Sequence, residues 1–197
     1  VFLVDYRLAP QHPYPAALED GLAAYQALLD LDVDPAQITW VGDSAGGAHI
    51  LAMAVFARNE GMPLPGGMVM ISPFVDMTLT AESIQSKAKI DPMLSVVPLQ
   101  RGVQAYCGEE LASDPKVSPV FADLDGLPPM LIQCGSDEIL LDDALLLERV
   151  AREAGVQVEC TVYPGMWHNF QMFNAFVEKA DRALWAIADF VRRGESQ

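Results

Sequence analysis

The sequence predicts a protein of the α/β class, with a mostly parallel sheet covered by helices on both faces. Short, continuously apolar runs alternate along the chain with longer segments whose apolar residues recur at helical spacing. Strands that are buried on both faces have this composition, whereas half-exposed antiparallel strands alternate apolar and polar residues. A Gly-Asp-Ser-Ala-Gly motif at residues 42–46, between one such strand and one such helix, adds a specific landmark.

Five strands and four helices are predicted in order along the chain. The strand-like runs are residues 1–6, 38–42, 67–72, 130–135 and 156–163. The helical patterns are residues 15–31, 47–58, 142–154 and about 172–193, with Gly155 as a stop signal for the third helix. Residues 76–127 interrupt the alternation, because they hold two weak helical patterns among many Pro and Asp residues.

Composition and charge limit the possible functions. The 197 residues suffice for one domain with a sizeable core, and 27 acidic against 12 basic residues give a formal charge of −15. This charge disfavours nucleic acid and anionic membrane surfaces as partners. No apolar run has transmembrane length and no signal peptide is visible, so a cytoplasmic location is expected. The three cysteines and three histidines form no metal-binding motif, so we expect no metal and no organic cofactor.

The motif at residues 42–46 predicts a nucleophilic serine. In a sharp strand-to-helix turn, Gly42 and Gly46 would avoid clashes, and the serine hydroxyl would be held exposed over the positive end of the following helix. Ser44 occupies that position. A serine hydroxyl is a poor nucleophile without a neighbouring base, so the prediction depends on finding one. The alternative is a purely structural turn.

The base and the acid are expected on two later loops. His168 lies between the fifth strand and the last helix, at the carboxyl edge of the predicted sheet. His49 lies within the helix after the serine and is expected to point away, and His12 lies in a proline-bounded turn. The acid is expected in the turn after residues 130–135, where four carboxylates follow and composition cannot choose among them. Serine, acid, histidine is the chain order of the α/β-hydrolases.

Several motifs together resemble the signature of one family. The two most specific are Val-Asp-Tyr-Arg-Leu-Ala-Pro at residues 4–10 and Gly-Asp-Ser-Ala-Gly-Gly at residues 42–47. The further landmarks are residues 12–17, Asp20, Ser72-Pro73, Asp76, Asp91-Pro92 and Ser118-Pro119. With these motifs the chain resembles the bacterial hormone-sensitive-lipase-like (family IV) carboxylesterases, and the resemblance runs nearly from end to end. It implies the α/β-hydrolase fold.

The resemblance also implies which residue is the acid. The family carries it in the pattern Gly-x-x-Asp/Glu-x-Leu-x-Asp, and counting from Gly135 places it at Glu138, with Asp137 as the alternative. A glutamate can serve, because the acid orients the imidazole and stabilises the imidazolium without itself being protonated. The implied catalytic triad is Ser44, Glu138 and His168.

The start of the chain departs from the family pattern. Family members carry a His-Gly-Gly-Gly loop before the strand at residues 1–6, and that loop supplies most of the oxyanion hole. Here the Ala45 N–H is the remaining oxyanion donor that we expect. In the family's sheet an earlier strand also separates residues 1–6 from the elbow strand. We therefore expect residues 1–197 to be one catalytic domain lacking its N-terminal strands and oxyanion loop, with a second segment filling the gap or a rearranged sheet.

These features predict a serine carboxylesterase that works through an acyl-enzyme, and the resemblance implies acyl chains of short to medium length. Residues 76–127 are expected to form an excursion over the active-site face and to line the substrate pocket. The residues expected to contact substrate are Asp43, Met77, Met93, Leu94 and Phe121. The alternative is that the apolar ones merely pack the excursion onto the sheet.

Other functions stay open at this point. The same triad serves amidases, lactonases and thioesterases, and pocket shape would decide among them. A non-catalytic ligand-binding protein of this fold is a further possibility, although relatives of that kind, the plant gibberellin receptors, have lost the catalytic histidine. The strand at residues 156–163 is expected at the sheet edge, where unpaired backbone groups favour a homodimer. Apart from a small-molecule ester and a second copy, no partner is predicted.

Overall fold

A computed structural model of the protein describes residues 1–108 and 111–194. Its sheet has four parallel strands in the order β1 (Thr39–Asp43), β2 (Gly67–Ile71), β3 (Met130–Gly135) and β4 (Val158–Tyr163). The six helices of this part of the chain are α1 (Ala16–Asp30), α2 (Ala45–Asn59), α3 (Glu82–Ser86), α4 (Val96–Tyr106), α5 (Leu141–Glu153) and α6 (Glu178–Gly194). The parallel sheet and four of the five predicted strands are confirmed.

Helices cover both faces of the sheet, as predicted. Toward α2 and α5 the sheet presents four fully buried side chains, those of Met68, Met70, Met130 and Ile132. On the opposite face, Val69 and Leu131 pack against Phe190 of α6. Because successive strand residues point to opposite faces, each of these continuous apolar runs contributes to two cores. Each buried side chain of this size stabilises the fold by about 1.5–3 kcal/mol.

The prediction of a strand at residues 1–6 is wrong. This segment has no regular secondary structure and pairs with no strand in the described chain. Its apolar side chains are largely solvent-exposed, at 62% for Phe2 and 88% for Leu3. The segment is apolar, as a strand would be. However, an apolar segment becomes a β-strand only when a neighbouring strand takes up its backbone hydrogen bonds.

A slot of about 530 Å³ lies between residues 1–6 and β1. Phe2 and Leu3 line it together with Trp40 and Val41 of β1. Val41 is 53% exposed although it is in register with the buried Val69, because α6 packs on β2 and β3. The sequence predicted either a second segment in this gap or a rearranged sheet. Neither is seen, since the four strands keep a regular order and the described chain does not fill the gap.

Arg7 fastens the segment that follows residues 1–6 to α1. Its backbone N–H donates to Asp20 Oδ2 at 2.8 Å, and its guanidinium Nε donates to the same carboxylate at 2.9 and 3.0 Å. The guanidinium also donates to the Ala16 carbonyl at 3.2 Å and to Glu19 at 3.0 Å. These bonds explain why Asp20 accompanies the motif at residues 4–10.

The last predicted helix begins later than expected. A short 3₁₀ turn at Phe170–Phe173 comes first, and α6 begins at Glu178. Phe176, which the helical pattern included in the apolar face, lies before α6 and is almost fully exposed. None of the described helices is long and apolar enough to cross a membrane.

Residues 76–127 contain α3, α4 and a 3₁₀ turn at Pro119–Phe121. Buried carboxylates fasten this excursion to the turn between β3 and α5. Asp91 Oδ2 accepts the Ile139 N–H at 3.0 Å, and Asp143 Oδ2 accepts the N–H groups of Val75 and Asp76, each at 2.9 Å. The excursion is therefore attached at the carboxyl end of the sheet. At the far side, β4 is an edge strand, as predicted.

Candidate active site

Ser44 occupies a sharp turn between β1 and α2. Its φ of 53° and ψ of −120° are unusual for a residue with a side chain, and it is the N-cap of α2. Two backbone bonds to the next strand fix the turn, because Ser44 N–H donates to the Ile71 carbonyl at 2.9 Å and Phe74 N–H donates to the Ser44 carbonyl at 3.0 Å. Strained backbone of this kind persists where the surrounding structure determines it, which is common at functional sites.

The glycines around Ser44 have different roles. A Cβ on Gly42 would lie 2.2 Å from the Gly46 carbonyl oxygen, so this glycine is required by the turn. A Cβ on Gly46 would meet nothing within 4 Å, so the clash predicted there is wrong. The next residue, Gly47, has the close contact instead, because a Cβ on it would lie 2.8 Å from Pro73 Cβ.

The loop that carries His168 crosses closely over the end of β3. A Cβ on Gly135 would lie 2.1 Å from the Met166 carbonyl oxygen, so glycine is what permits the crossing. The same carbonyl accepts the Asp137 N–H at 2.9 Å, and Gly165 N–H donates to Ser136 Oγ at 2.8 Å. The histidine loop is therefore fixed to the turn that carries the candidate acids.

The two candidate acids lie in different surroundings. Glu138 is fully buried, and its Oε2 accepts the Ser72 O–H at 2.8 Å and the Gly135 N–H at 2.9 Å. The Asp137 side chain is 38% exposed and lies 4.0 Å from Lys87 Nζ. This geometry favours Glu138 over Asp137 as the acid.

Asn169 joins the histidine loop to the elbow. Its side-chain Nδ2 donates to Asp43 Oδ2 at 2.7 Å, and its backbone N–H donates to Ser72 Oγ at 3.2 Å. Asp43 precedes Ser44 in the chain and Asn169 follows His168, so the bond joins the Ser44 turn to the His168 loop. Asn169 has a φ of 53°, a conformation that asparagine adopts more readily than most residues. Asp43, predicted to contact substrate, instead accepts this bond and lines the slot.

Two buried atoms of the expected triad lack a hydrogen-bond partner in the described chain. They are His168 Nδ1 and Glu138 Oε1. The Ser72 hydroxyl connects the two residues indirectly. It donates to Glu138 Oε2 and accepts the backbone N–H of Asn169, which follows His168. Hydrogen bonds between catalytic groups are often long without substrate and tighten in the complex.

Burial changes the ionisation of both groups. Desolvation raises the pKa of Glu138 to about 7, opposed by the hydrogen bonds from Gly135 and Ser72. Desolvation lowers the pKa of His168, opposed by the negative charges of Asp91 and Asp43. His168 therefore stays neutral, and able to accept a proton, at lower pH than an exposed histidine.

The two competing histidines lie elsewhere. The His49 ring stacks on Tyr6 with centroids 5.0 Å apart, and burial lowers its pKa. His12 is exposed, and its backbone N–H donates to the Leu8 carbonyl at 2.9 Å. Both line the cavity at Ser44, but within the described residues neither side chain hydrogen-bonds to Glu138 or Ser72.

An apolar pocket of about 340 Å³ opens at Ser44. Of the apolar residues predicted to line it, Met77 does so. Leu94 packs against the main core, and Met93 and Phe121 are 46% and 45% exposed, so these three residues do not line this pocket and their contact with substrate stays a prediction. The larger contribution comes from α4, which sequence reasoning missed, through Pro98, Leu99, Gly102, Val103 and Tyr106. The amphipathic pattern of residues 96–106 was the available signal.

Comparisons with known proteins agree with this geometry. Residues 1–172 match a family described as having the alpha/beta hydrolase fold. An esterase of Acinetobacter venetianus is 46% identical over 96% of this chain and 63% of its own length. An acetyl-hydrolase of Streptomyces hygroscopicus is 36% identical over 98% of this chain and 64% of its own length. The crystal structure of an esterase from the bacterial hormone-sensitive lipase family matches with a TM-score of 0.94 and 41% identity, over 96% of this chain and 64% of that one.

The chain belongs to the α/β-hydrolase fold family. The fold class predicted from the sequence is thereby confirmed, and so is the resemblance to the hormone-sensitive-lipase-like esterases. The chain spans somewhat less than two thirds of the length of these curated relatives.

Proposed function

We propose that the protein is a serine carboxylesterase that uses Ser44, His168 and Glu138. The observation that carries the proposal is one chain of hydrogen bonds through Asp43, Asn169, Ser72 and Glu138. It links the elbow, the histidine loop and the acid turn, which are distant in sequence. A purely structural turn at Ser44 would need no such connection to a buried carboxylate and to the loop of a buried histidine.

In the proposed mechanism, His168 Nε2 takes the proton of the Ser44 hydroxyl as the oxygen attacks the ester carbonyl. His168 Nδ1–H donates to Glu138 Oε1, which holds the required tautomer and stabilises the imidazolium. The Ala45 N–H, at the start of α2, donates to the tetrahedral oxyanion. The alcohol leaves with the proton from His168, and a water activated by the same imidazole releases the acid.

The pocket at Ser44 supports an acyl or alcohol group of short to medium length. The walls of the pocket are mostly apolar, and Val103 and Tyr106 of α4 form part of them. A volume of about 340 Å³ is at the small end of the range for ligand pockets. The names of the relatives, an esterase and an acetyl-hydrolase, agree with a small acyl group.

The test is hydrolysis of p-nitrophenyl butyrate by the protein and by Ser44→Ala. Loss of the nucleophile is expected to remove nearly all turnover, leaving only the residual rate that binding and the oxyanion hole supply. Ser95→Ala is the matched control, since Ser95 is exposed and its side chain caps nothing. Equal activity in Ser44→Ala and the unsubstituted protein would exclude this mechanism. Faster turnover of the matched butyramide than of the ester would move the proposal to an amidase.

We also propose a homodimer through β4. Its outer edge has no strand partner in the described chain, and such edges pair readily with a second copy. Light scattering is expected to give twice the chain mass. A monomer at assay concentrations would exclude the dimer.

A further inference from the structure

Ser72 lies where β2 ends, between the elbow and the acid turn. It is fully buried and has a φ of 46°. Its backbone N–H donates to the Gln133 carbonyl at 2.7 Å, which ties it to β3. Its hydroxyl donates to Glu138 Oε2 at 2.8 Å and accepts the Asn169 N–H at 3.2 Å. One hydroxyl thus contacts both the acid and the residue that follows the base.

These bonds leave one carboxylate oxygen of Glu138, Oε1, available to accept a further hydrogen bond. Oε2 is used by two donors, the Ser72 O–H and the Gly135 N–H. Oε1 is buried and without a partner in the described residues, as is His168 Nδ1. Rotation of the carboxylate would break both bonds to Oε2, so the Ser72 hydroxyl helps to keep Oε1 available.

We propose that Ser72 is a positioning residue, whose hydroxyl orients the Glu138 carboxylate and seats the His168 loop against it. The inference rests on the proposed function of the triad and adds a fourth residue to it. Ser72 does not line the pocket at Ser44, so it acts through Glu138 and His168 rather than by touching the substrate.

Ser83 provides the comparison that separates positioning from ordinary burial. It is also buried, and its hydroxyl also bonds to the turn between β3 and α5. It donates to the Ile139 carbonyl at 2.8 Å and accepts the Asp142 N–H at 3.1 Å. It makes no contact with the Glu138 carboxylate. Loss of either hydroxyl removes two hydrogen bonds, but only loss of the Ser72 hydroxyl removes a bond to the Glu138 carboxylate.

The Ser72 hydroxyl also favours the ionised form of Glu138, because it donates to the carboxylate. The other ionisable groups that interact with the carboxylate are Asp91 from the excursion, Asp143 from α5 and Cys134 from β3. Asp91 and Asp143 raise the pKa of Glu138. Removal of the hydroxyl is expected to raise that pKa further, so that Glu138 loses its charge at a higher pH.

The experiment compares Ser72→Gly with Ser83→Ala in the full chain. Glycine suits the positive φ at Ser72, so this variant removes the hydroxyl without adding backbone strain. We expect kcat/KM on p-nitrophenyl butyrate to fall about 10- to 100-fold in Ser72→Gly, which is less than the roughly 100- to 10,000-fold that a proton-transfer group contributes, because the triad is misaligned rather than removed. The acid limb of its pH profile should move to higher pH, whereas Ser83→Ala should keep both the rate and the profile.

A second readout does not depend on turnover. The protein has three histidines, so the imidazole signals can be followed individually by NMR during a pH titration. With Glu138 protonated, the His168 imidazolium loses a stabilising charge, so its titration should move to lower pH in Ser72→Gly and not in Ser83→Ala. Unchanged kcat/KM and an unchanged His168 titration in Ser72→Gly would overturn the proposal. Equal losses of kcat/KM in Ser72→Gly and Ser83→Ala, with no shift in the pH profile of either variant, would also overturn it.

The two proposals can fail separately. If the unsubstituted protein hydrolyses no ester, the proposed function fails and the His168 titration alone decides the role of Ser72. If the protein is active and Ser72→Gly behaves like Ser83→Ala, the esterase remains and the positioning role is lost.

Discussion

The carboxyl end of the sheet and the edge of β1 that has no strand partner in the described chain are built in opposite ways. At the carboxyl end, Glu138 and Ser72 are fully buried, and side-chain hydrogen bonds join three separate loops. At the edge of β1, Leu3 and Val41 are exposed around an open slot. The difference teaches that the candidate reactive groups are positioned by hydrogen bonds between loops and strand ends.

The largest effect expected at the carboxyl end is on catalysis. Glu138→Gln keeps the shape of the side chain but cannot stabilise the imidazolium, and a loss of about 10⁴-fold in kcat is expected, as when an equivalent acid is made neutral. Asp137→Asn is the matched control, since Asp137 is partly exposed near Lys87. Steady-state kinetics on an ester would contradict the assignment if the control lost as much as Glu138→Gln.

The close backbone crossings give the next largest effect, on stability. Gly135→Ala would place a Cβ 2.1 Å from the Met166 carbonyl oxygen, so the histidine loop would have to move. A loss of about 3 kcal/mol or more in the free energy of unfolding is expected, as for other severe packing conflicts. Gly46→Ala should be tolerated, because its Cβ would meet nothing. Urea unfolding measures both, and equal losses would contradict the proposed crossing.

The ionisation of Glu138 predicts a pH effect of moderate size. Its pKa is raised to about 7 in the folded protein, so the carboxylate becomes protonated as the pH falls below that value. We expect kcat/KM to fall on the acid side of about pH 7. Asp91→Asn removes a charge that raises the pKa of Glu138 and of His168. The acid limb of the pH profile of kcat/KM should therefore move to lower pH. A limb that stayed in place would show that Asp91 does not act on these groups.

The same shift has a consequence for stability. The pKa of Glu138 is higher in the folded state than its ordinary value of 4.5, so the folded state binds the proton more tightly. The stabilisation this contributes is present below pH 4.5 and is lost as the pH rises through about 7. In Glu138→Gln, this part of the pH dependence of the unfolding free energy should disappear.

The smallest effect is expected at the free edge of β1. Val41→Lys puts a charge on an exposed position of an unpaired edge, which should reduce self-association while changing the unfolding free energy by no more than about 0.5 kcal/mol. Val97→Lys, at a comparably exposed position on α4, is the control. Light scattering at increasing concentration measures the effect, and an equal change in both variants would show that the edge has no special role.

The sequence predicted the regular part of the fold because its signals are local. Four strands and α1, α2 and α5 follow from apolar runs and spacing within each segment, and the turn at Ser44 follows from its glycines. Residues 1–6 carry the same apolar signal, yet a strand requires a pairing partner that composition does not reveal.

The candidate reactive residues could be proposed from the sequence, but the residues that support them could not. Ser44 and His168 follow from motif and chain order, and Glu138 follows from the family pattern, whereas the bonds made by Ser72 and Asn169 depend on how three loops meet. The pocket was assigned to Met93, Leu94 and Phe121 because they are apolar, but tertiary packing turns two of them outward. In their place, α4 lines the pocket through its amphipathic face.

The most direct test of the account is covalent labelling of Ser44 by an organophosphate ester, followed by intact-protein and peptide mass spectrometry. The reaction needs an activated serine but not a complete catalytic cycle. The account predicts one adduct per chain, located on Ser44 and lost in His168→Ala. No adduct on the folded protein, or an adduct that forms equally fast in His168→Ala, would contradict the assembly of Ser44 and His168 into one site.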